Sequence, residues 1–88
     1  MTFVFSGTTL RFVDFQKEVE VDAQTIDGAL AKLAERFPAV KPVLFDREGR
    51  LRSAHRLFFN SEMLVGSDLG KAIGAGDRLE VVTAIAGG

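Results

Sequence analysis

An α+β fold, one amphipathic helix lying across a mixed sheet, is what this sequence predicts, and three observations carry it. Alternating, β-rich segments stand at both ends of the chain, at Thr2 to Ser6 and Arg78 to Thr83. The apolar period changes from two to between three and four over Ile26, Leu30, Leu33 and Phe37, the signature of a helix with one buried face. The chain has 88 residues, enough for a single core and too few for two.

Taken in order, Thr2 to Ser6 reads as a first strand because it alternates and is rich in β-formers. Gly7-Thr8-Thr9 suggests a turn, and a second extended segment is expected from about Leu10 to Val21. Its end, Lys17 to Asp22, alternates polar and apolar, as a half-buried strand does. The two segments are expected to pair as an antiparallel hairpin. Thr25 is the expected N-cap of the helix, and Pro38 its stop, since a residue before proline is pushed out of the α region. Val43, Leu44 and Phe45 suggest a short apolar turn, followed by a polar loop at Asp46 to Arg50. Arg56 to Asn60 reads as a strand, Glu62 to Val65 as a short return strand, and Leu69 to Ile73 as a brief helical turn. Gly74 to Asp77 is a turn into the last strand. With the first and last strands adjacent at its centre, such a sheet is a ubiquitin-like β-grasp. The expected organisation is a β-grasp domain over residues 1–83 and a flexible Gly-Gly tail over residues 84–88.

Composition excludes several functions. Apolar residues make up 47% and charged residues 26%, a globular balance. A formal net charge of −1 offers nucleic acid or anionic lipid no general attraction, and no apolar run approaches the ~20 residues of a membrane span. The N-terminal segment does not read as a secretion signal, so a cytoplasmic location is expected. There is no cysteine, hence no disulfide, thiolate nucleophile or thiolate metal site. The one histidine, His55, has no second histidine or cysteine to complete a metal site, and it reads as a surface residue. Arg47, Arg50, Arg52 and Arg56, interspersed with Asp46 and Glu48, read as solvated loop charge that could also steer an acidic partner. Gly74-Ala75-Gly76 lacks the rest of a phosphate-binding motif. Glu62 and Asp68 could be named as an acid–base pair, but nothing in their spacing demands it.

The chain closes on Ala84-Ile85-Ala86-Gly87-Gly88, uncharged and without bulk after Ile85. Two glycines are a poor end to a strand, having no side chain to pack. A frayed terminus would look the same. As an extension of the last strand, though, the segment is narrow enough to thread into a partner's active site.

Taken together, four segments resemble the MoaD/ThiS family of ubiquitin-like sulfur carriers. They are Thr25 to Leu30, Leu57-Phe58-Phe59-Asn60, Ala72 to Val81 with Gly76-Asp77-Arg78-Leu79 inside it, and Ala84 to Gly88. The longer stretch from Phe45 to Arg56 is similar to the branch of the mycobacterial cysteine-biosynthesis carrier.

The resemblance implies an activation cycle with no catalytic residue and no permanently bound cofactor or metal in this chain. A partner similar to ubiquitin-activating enzymes, an adenylyltransferase and sulfurtransferase, would use ATP and magnesium to adenylate the Gly88 carboxylate. Sulfur would then replace AMP, leaving a thiocarboxylate for a downstream sulfur-accepting synthase. Ala84, Ile85, Ala86 and Gly87 would enter the partner's active site, and neither nucleic acid nor membrane is an expected partner. The absence of cysteine excludes a persulfide on this chain without itself establishing the thiocarboxylate. The acceptor could belong to cysteine, thiazole, molybdopterin, thio-sugar or other natural-product synthesis. A protein modifier joined to lysines through Gly88, and a binding module with an inert tail, are the alternatives.

Strand alternation assigns Leu57, Phe59, Leu79 and Val81 to the core, leaving Phe58, Val82 and Val4 for the open face. An apolar group there suggests a partner-docking patch, and the resemblance places the family's patch at about these positions. A one-residue slip in register would invert the assignment.

Overall fold

The computed structural model describes residues 1–50, 55–64 and 68–83. The strands are β1 (Thr2–Phe5), β2 (Glu18–Glu20), β3 (His55–Phe59), β4 (Glu62–Met63) and β5 (Arg78–Thr83); the α-helices are α1 (Ile26–Arg36) and α2 (Lys41–Leu44). Short 3₁₀ helices occupy Gly7–Val13 and Pro38–Val40. The sheet order is β2-β1-β5-β3-β4. β1 and β5 run parallel at its centre, and the other neighbours pair antiparallel. This is the ubiquitin-like β-grasp.

One face of the sheet and one face of α1 make the core. Phe3, Phe5, Val19, Leu57, Leu79 and Val81 from the strands are buried with Ile26, Ala29, Leu30 and Leu33 from the helix. Phe37, Val40 and Leu44 continue it under the two short helices. Phe59 is partly buried against the same cluster.

The start of α1 shows why the helix begins where it does. The first amide groups of an α-helix lack i→i−4 partners within it; here those of Ile26, Asp27 and Gly28 each find another acceptor, and the ladder begins at Ala29. Ile26 N–H donates to the Lys71 carbonyl at 3.1 Å and Asp27 N–H to the Leu69 carbonyl at 2.8 Å. Gly28 N–H donates to Thr25 Oγ1 at 3.1 Å, and Ala29 N–H to the Thr25 carbonyl at 2.9 Å. A Cβ on residue 28 would stand 3.2 Å from Thr25 Oγ1, so glycine allows the close cap. At the other end Phe37 takes φ −128°, ψ 84°, outside the α region that Pro38 disfavours for its predecessor.

Three local expectations are corrected. The segment expected to be extended from about Leu10 begins instead as the end of the 3₁₀ helix Gly7–Val13, and β2 is confined to Glu18–Glu20. The local chemistry of Thr9 favours the tight turn. Its hydroxyl accepts from Ser6 N–H at 3.1 Å and donates to the Ser6 carbonyl at 2.6 Å, a side-chain alternative to a strand ladder. Leu69 to Ile73 is only in part a turn, closed by Lys71 N–H on the Asp68 carbonyl at 3.0 Å. Beyond it Ala72 bridges antiparallel to Thr25, drawn into extended pairing by the unpaired amides of α1. The return strand is also shorter than expected, ending at Met63, and Val65 lies outside the described residues.

Two cations of α1 reach backbone carbonyls at and just beyond the outer edge of β2. Arg36 Nη1 donates to the Glu20 carbonyl at 3.0 Å, and Lys32 Nζ donates to the Asp22 carbonyl. Cations placed on exposed strand carbonyls block pairing with another strand.

Candidate docking face and C-terminal strand

The sequence reading centres on residues 84–88, which lie outside the described residues together with their candidate modification site Gly88. The described part of the site is the strand that leads to them. β5 runs between β1 and β3. Its cross-strand partners near the C-terminal end are Phe5 opposite Val81 on one side, and Arg56 opposite Val82 and His55 opposite Thr83 on the other. β5 therefore ends in the middle of the sheet, flanked by a strand on both sides.

On β5, Leu79 and Val81 are buried under α1, whereas Glu80 is exposed and Val82 half-buried on the opposite face. The same alternation sets Phe3 and Phe5 against Val4 in β1, and Leu57 against Phe58 in β3. Val4, Phe58 and Val82 thus share the face that α1 leaves open. Register aligns Glu18, Val4, Glu80, Phe58 and Met63 in one row across all five strands. Met63 is 51% exposed, which extends the apolar part of the row to the sheet edge. Arg78 Nη2 meets Glu18 Oε2 at 3.4 Å over the same face.

Strand alternation in the sequence already sets Glu80 with Val82 against Leu79 and Val81, but sequence reasoning missed Met63 as a member of this row. The signal for Met63 was present in the two-residue turn Asn60-Ser61, where φ is 50° and 73°. Such a turn forces Phe59 opposite Glu62 and Phe58 opposite Met63, the register observed.

The end of the sheet away from the tail is held by side chains that the sequence reading had singled out only as a pattern. Asn60 Nδ2 donates to Asp77 Oδ1 at 3.1 Å, Arg78 N–H donates to Asn60 Oδ1 at 3.0 Å, and Gly74 N–H donates to Asp77 Oδ2 at 2.8 Å. The Gly74 amide, with the Asn60 amide second, holds the Asp77 carboxyl below its ordinary range. Both donors favour the ionised form.

The 46–50 loop is closed by its own acid, as Asp46 Oδ1 accepts from Glu48 N–H at 2.8 Å and from Arg50 N–H at 3.0 Å. Arg50 also contacts Glu48 at 3.7 Å, both side chains largely in solvent; a pair so exposed contributes little to stability. Arg52 lies outside the described residues. Among the described residues no cluster of three His, Cys, Asp or Glu could hold a metal ion, and no helix is long and apolar enough to cross a membrane.

The model of the ThiS family matches residues 5–88. The chain belongs to the ThiS family. The match takes in β5 and runs through Gly87 and Gly88, and it joins this β-grasp to the MoaD/ThiS-like sulfur carriers. Solved structures agree on the fold. SAMP1 from Haloferax volcanii is 26% identical, with a TM-score of 0.80 over 99% of this chain and 97% of its own. The BexX/CysO complex from Amycolatopsis orientalis contains a chain 24% identical, with a TM-score of 0.83 over 99% of this chain and 98% of that one. CysO from Mycobacterium tuberculosis is 21% identical, with a TM-score of 0.82 over 96% and 98%. No curated protein sequence matches the chain.

Proposed function

We propose that this ThiS-family chain carries sulfur as a thiocarboxylate on Gly88. The observation that carries the reading is the family match extending through the final glycine. The position of β5 supports it, because a tail leaving the sheet centre can enter a partner while the folded body stays outside.

In the proposed cycle the Gly88 carboxylate is inert until a partner adenylates it, releasing pyrophosphate and forming an acyl-adenylate. Sulfide then attacks the acyl carbon, a C–S bond forms, and the C–O bond to AMP breaks as AMP leaves. With a persulfide donor the first product is an acyl disulfide, and a thiol releases the thiocarboxylate by taking the outer sulfur into a new disulfide. ATP and magnesium belong to the activating partner, as does the catalysis. Ala84, Ile85, Ala86 and Gly87 would occupy the partner's channel, and Val4, Phe58 and Val82 would dock against its surface. A second partner, a sulfur-accepting synthase, would use the same face. A chain of this fold occurs in the BexX/CysO complex of Amycolatopsis orientalis, which supports docking to a partner protein.

The test is intact mass of the protein isolated from its native host, before and after alkylation at sulfur. The chain has no cysteine, so a specific adduct marks a thiocarboxylate. A species heavier by the sulfur-for-oxygen difference, alkylatable and lost on deletion of Gly88, is the expected result. Unchanged mass after incubation with ATP, sulfide and the cognate activating enzyme would overturn the proposal.

A second reading is favoured by SAMP1, which is named a small archaeal modifier protein. The same activated Gly88 could be transferred to a lysine amine, forming an isopeptide bond as AMP leaves. Higher-mass species with Gly88 linked to lysine would identify that use.

A further inference from the structure

Phe15 is 73% exposed, and nothing in the core accounts for its being aromatic. Its backbone is as unusual as its exposure. Asp14 and Phe15 take φ 54° and 60° in succession, the left-handed region that bulky residues avoid and that glycine enters without cost. The loop is nevertheless firmly held, with Phe15 N–H on the Leu10 carbonyl at 2.8 Å, Asp14 N–H on the same carbonyl, and Gln16 N–H on the Val13 carbonyl at 3.0 Å. A rigid turn thus holds a phenyl ring in water, in a conformation costly for that residue. An observed outlier of this kind is a reason to look for function.

Its place in the fold says where that function acts. β1 and β5 are parallel, so their C-terminal ends lie at the same end of the sheet. Phe5 N–H donates to the Lys17 carbonyl at 2.8 Å, and Phe5 is opposite Val81. The loop carrying Phe15 therefore stands at the end of the sheet from which β5 continues into residues 84–88. β2, into which the loop runs, is two strands from β5, about 10 Å at the usual strand spacing.

We propose that Phe15 is a docking anchor for the adenylating partner, inserting into an apolar recess beside the channel that takes the tail. The inference rests on the carrier reading and deepens it. A protein that encloses the last five residues meets the surface around the root of β5, and a rigid exposed aromatic there has the character of an interface hot spot. The loop is preorganised, so little freedom is lost on binding.

The test uses the full chain and two substitutions that suit a left-handed backbone, Phe15→Gly and Phe15→Asn. ATP–pyrophosphate exchange is measured with the purified activating enzyme as a function of carrier concentration. Both variants should be at least as resistant to denaturant as the parent, while KM for the carrier rises about tenfold and kcat stays within twofold. A parent-like KM in both variants overturns the anchor while leaving the carrier reading intact. A Gly variant that unfolds more easily than the parent also overturns it, since the ring would then serve packing. No exchange with the parent chain would instead overturn the carrier reading and the anchor with it.

Discussion

Asn60 and Asp77, seventeen positions apart in sequence, are joined side chain to side chain at 3.1 Å across the ends of β3 and β5. Asn60 also caps the backbone of Arg78, and Asp77 that of Gly74. The Phe59-Asn60 and Gly76-Asp77-Arg78-Leu79 patterns that mark the family in sequence are thus one structural device. It pins the start of β5, the strand that leads toward Gly88.

Asp77 predicts a pH dependence. Its folded pKa lies below the ordinary value, about 3.9 in an unfolded chain. The unfolded state therefore binds a proton first as pH falls, and the stabilisation, complete above that ordinary value, is lost as pH drops through the folded pKa. Denaturant midpoints measured from pH 7 to pH 3 should fall more steeply for the parent than for Asp77→Asn. The variant should be the less stable at pH 7, with the gap closing in acid. Parallel curves would show that the carboxylate is not the group responsible.

Asn60 separates conformation from bonding. Its φ of 50° is one that asparagine tolerates and alanine does not. Asn60→Gly removes the side-chain bonds but fits the turn, whereas Asn60→Ala loses the bonds and strains the backbone. The alanine variant should be the less stable by about 1 kcal/mol in equilibrium unfolding. Equal stabilities would mean that the turn relaxes.

At the N-terminus of α1, Thr25→Ala should cost about 1 kcal/mol, and Thr25→Ser much less, because serine keeps the acceptor for Gly28 N–H. Thermal or chemical unfolding reads the difference directly. A serine variant as weak as alanine would place the value of Thr25 in its methyl group instead.

The α1 stripe and the open face were legible because each follows from a periodicity or from alternation, whereas the parallel direction of the first and last strands is given only by the observed pairing. The burial of Ile26, Leu30, Leu33 and Phe37 is the 3.6-residue period made physical. The Gly7–Val13 turn was not legible, because Thr9, Phe12 and Val13 are β-formers whose preference yields to a hydroxyl bonded to Ser6. The pairing of Leu69 to Ile73 with the start of α1 is decided by unpaired amides of a distant segment, which carry no local signal. Phe15 escaped for the opposite reason. Exposure and a left-handed backbone leave no trace in an apolar pattern, and a phenylalanine by itself reads as core. For the candidate site, alternation gave Val4, Phe58, Val82 and Glu80, but Met63 joins them only through the register of the β3–β4 pair.

That row makes the last prediction. Phe58 is half-buried, flanked in register by Glu80 and Met63, with its ring on the face away from α1. Phe58→Ala removes apolar area from the open face while leaving the α1 side of the sheet untouched, so the fold should persist. If the face docks the activating partner, KM for the carrier in adenylation should rise about tenfold, the loss typical of an aromatic at an interface centre. Met63→Ala, at the edge of the row, should have a smaller effect, as rim positions do. Glu80→Lys would reverse the one charge standing between Val4 and Phe58, and a change in the salt dependence of the association rate would report whether that charge faces the partner. Unaltered KM for Phe58→Ala, with circular dichroism matching the parent, would remove the open face from the docking surface. The end of the sheet around β5 would then be the sole contact.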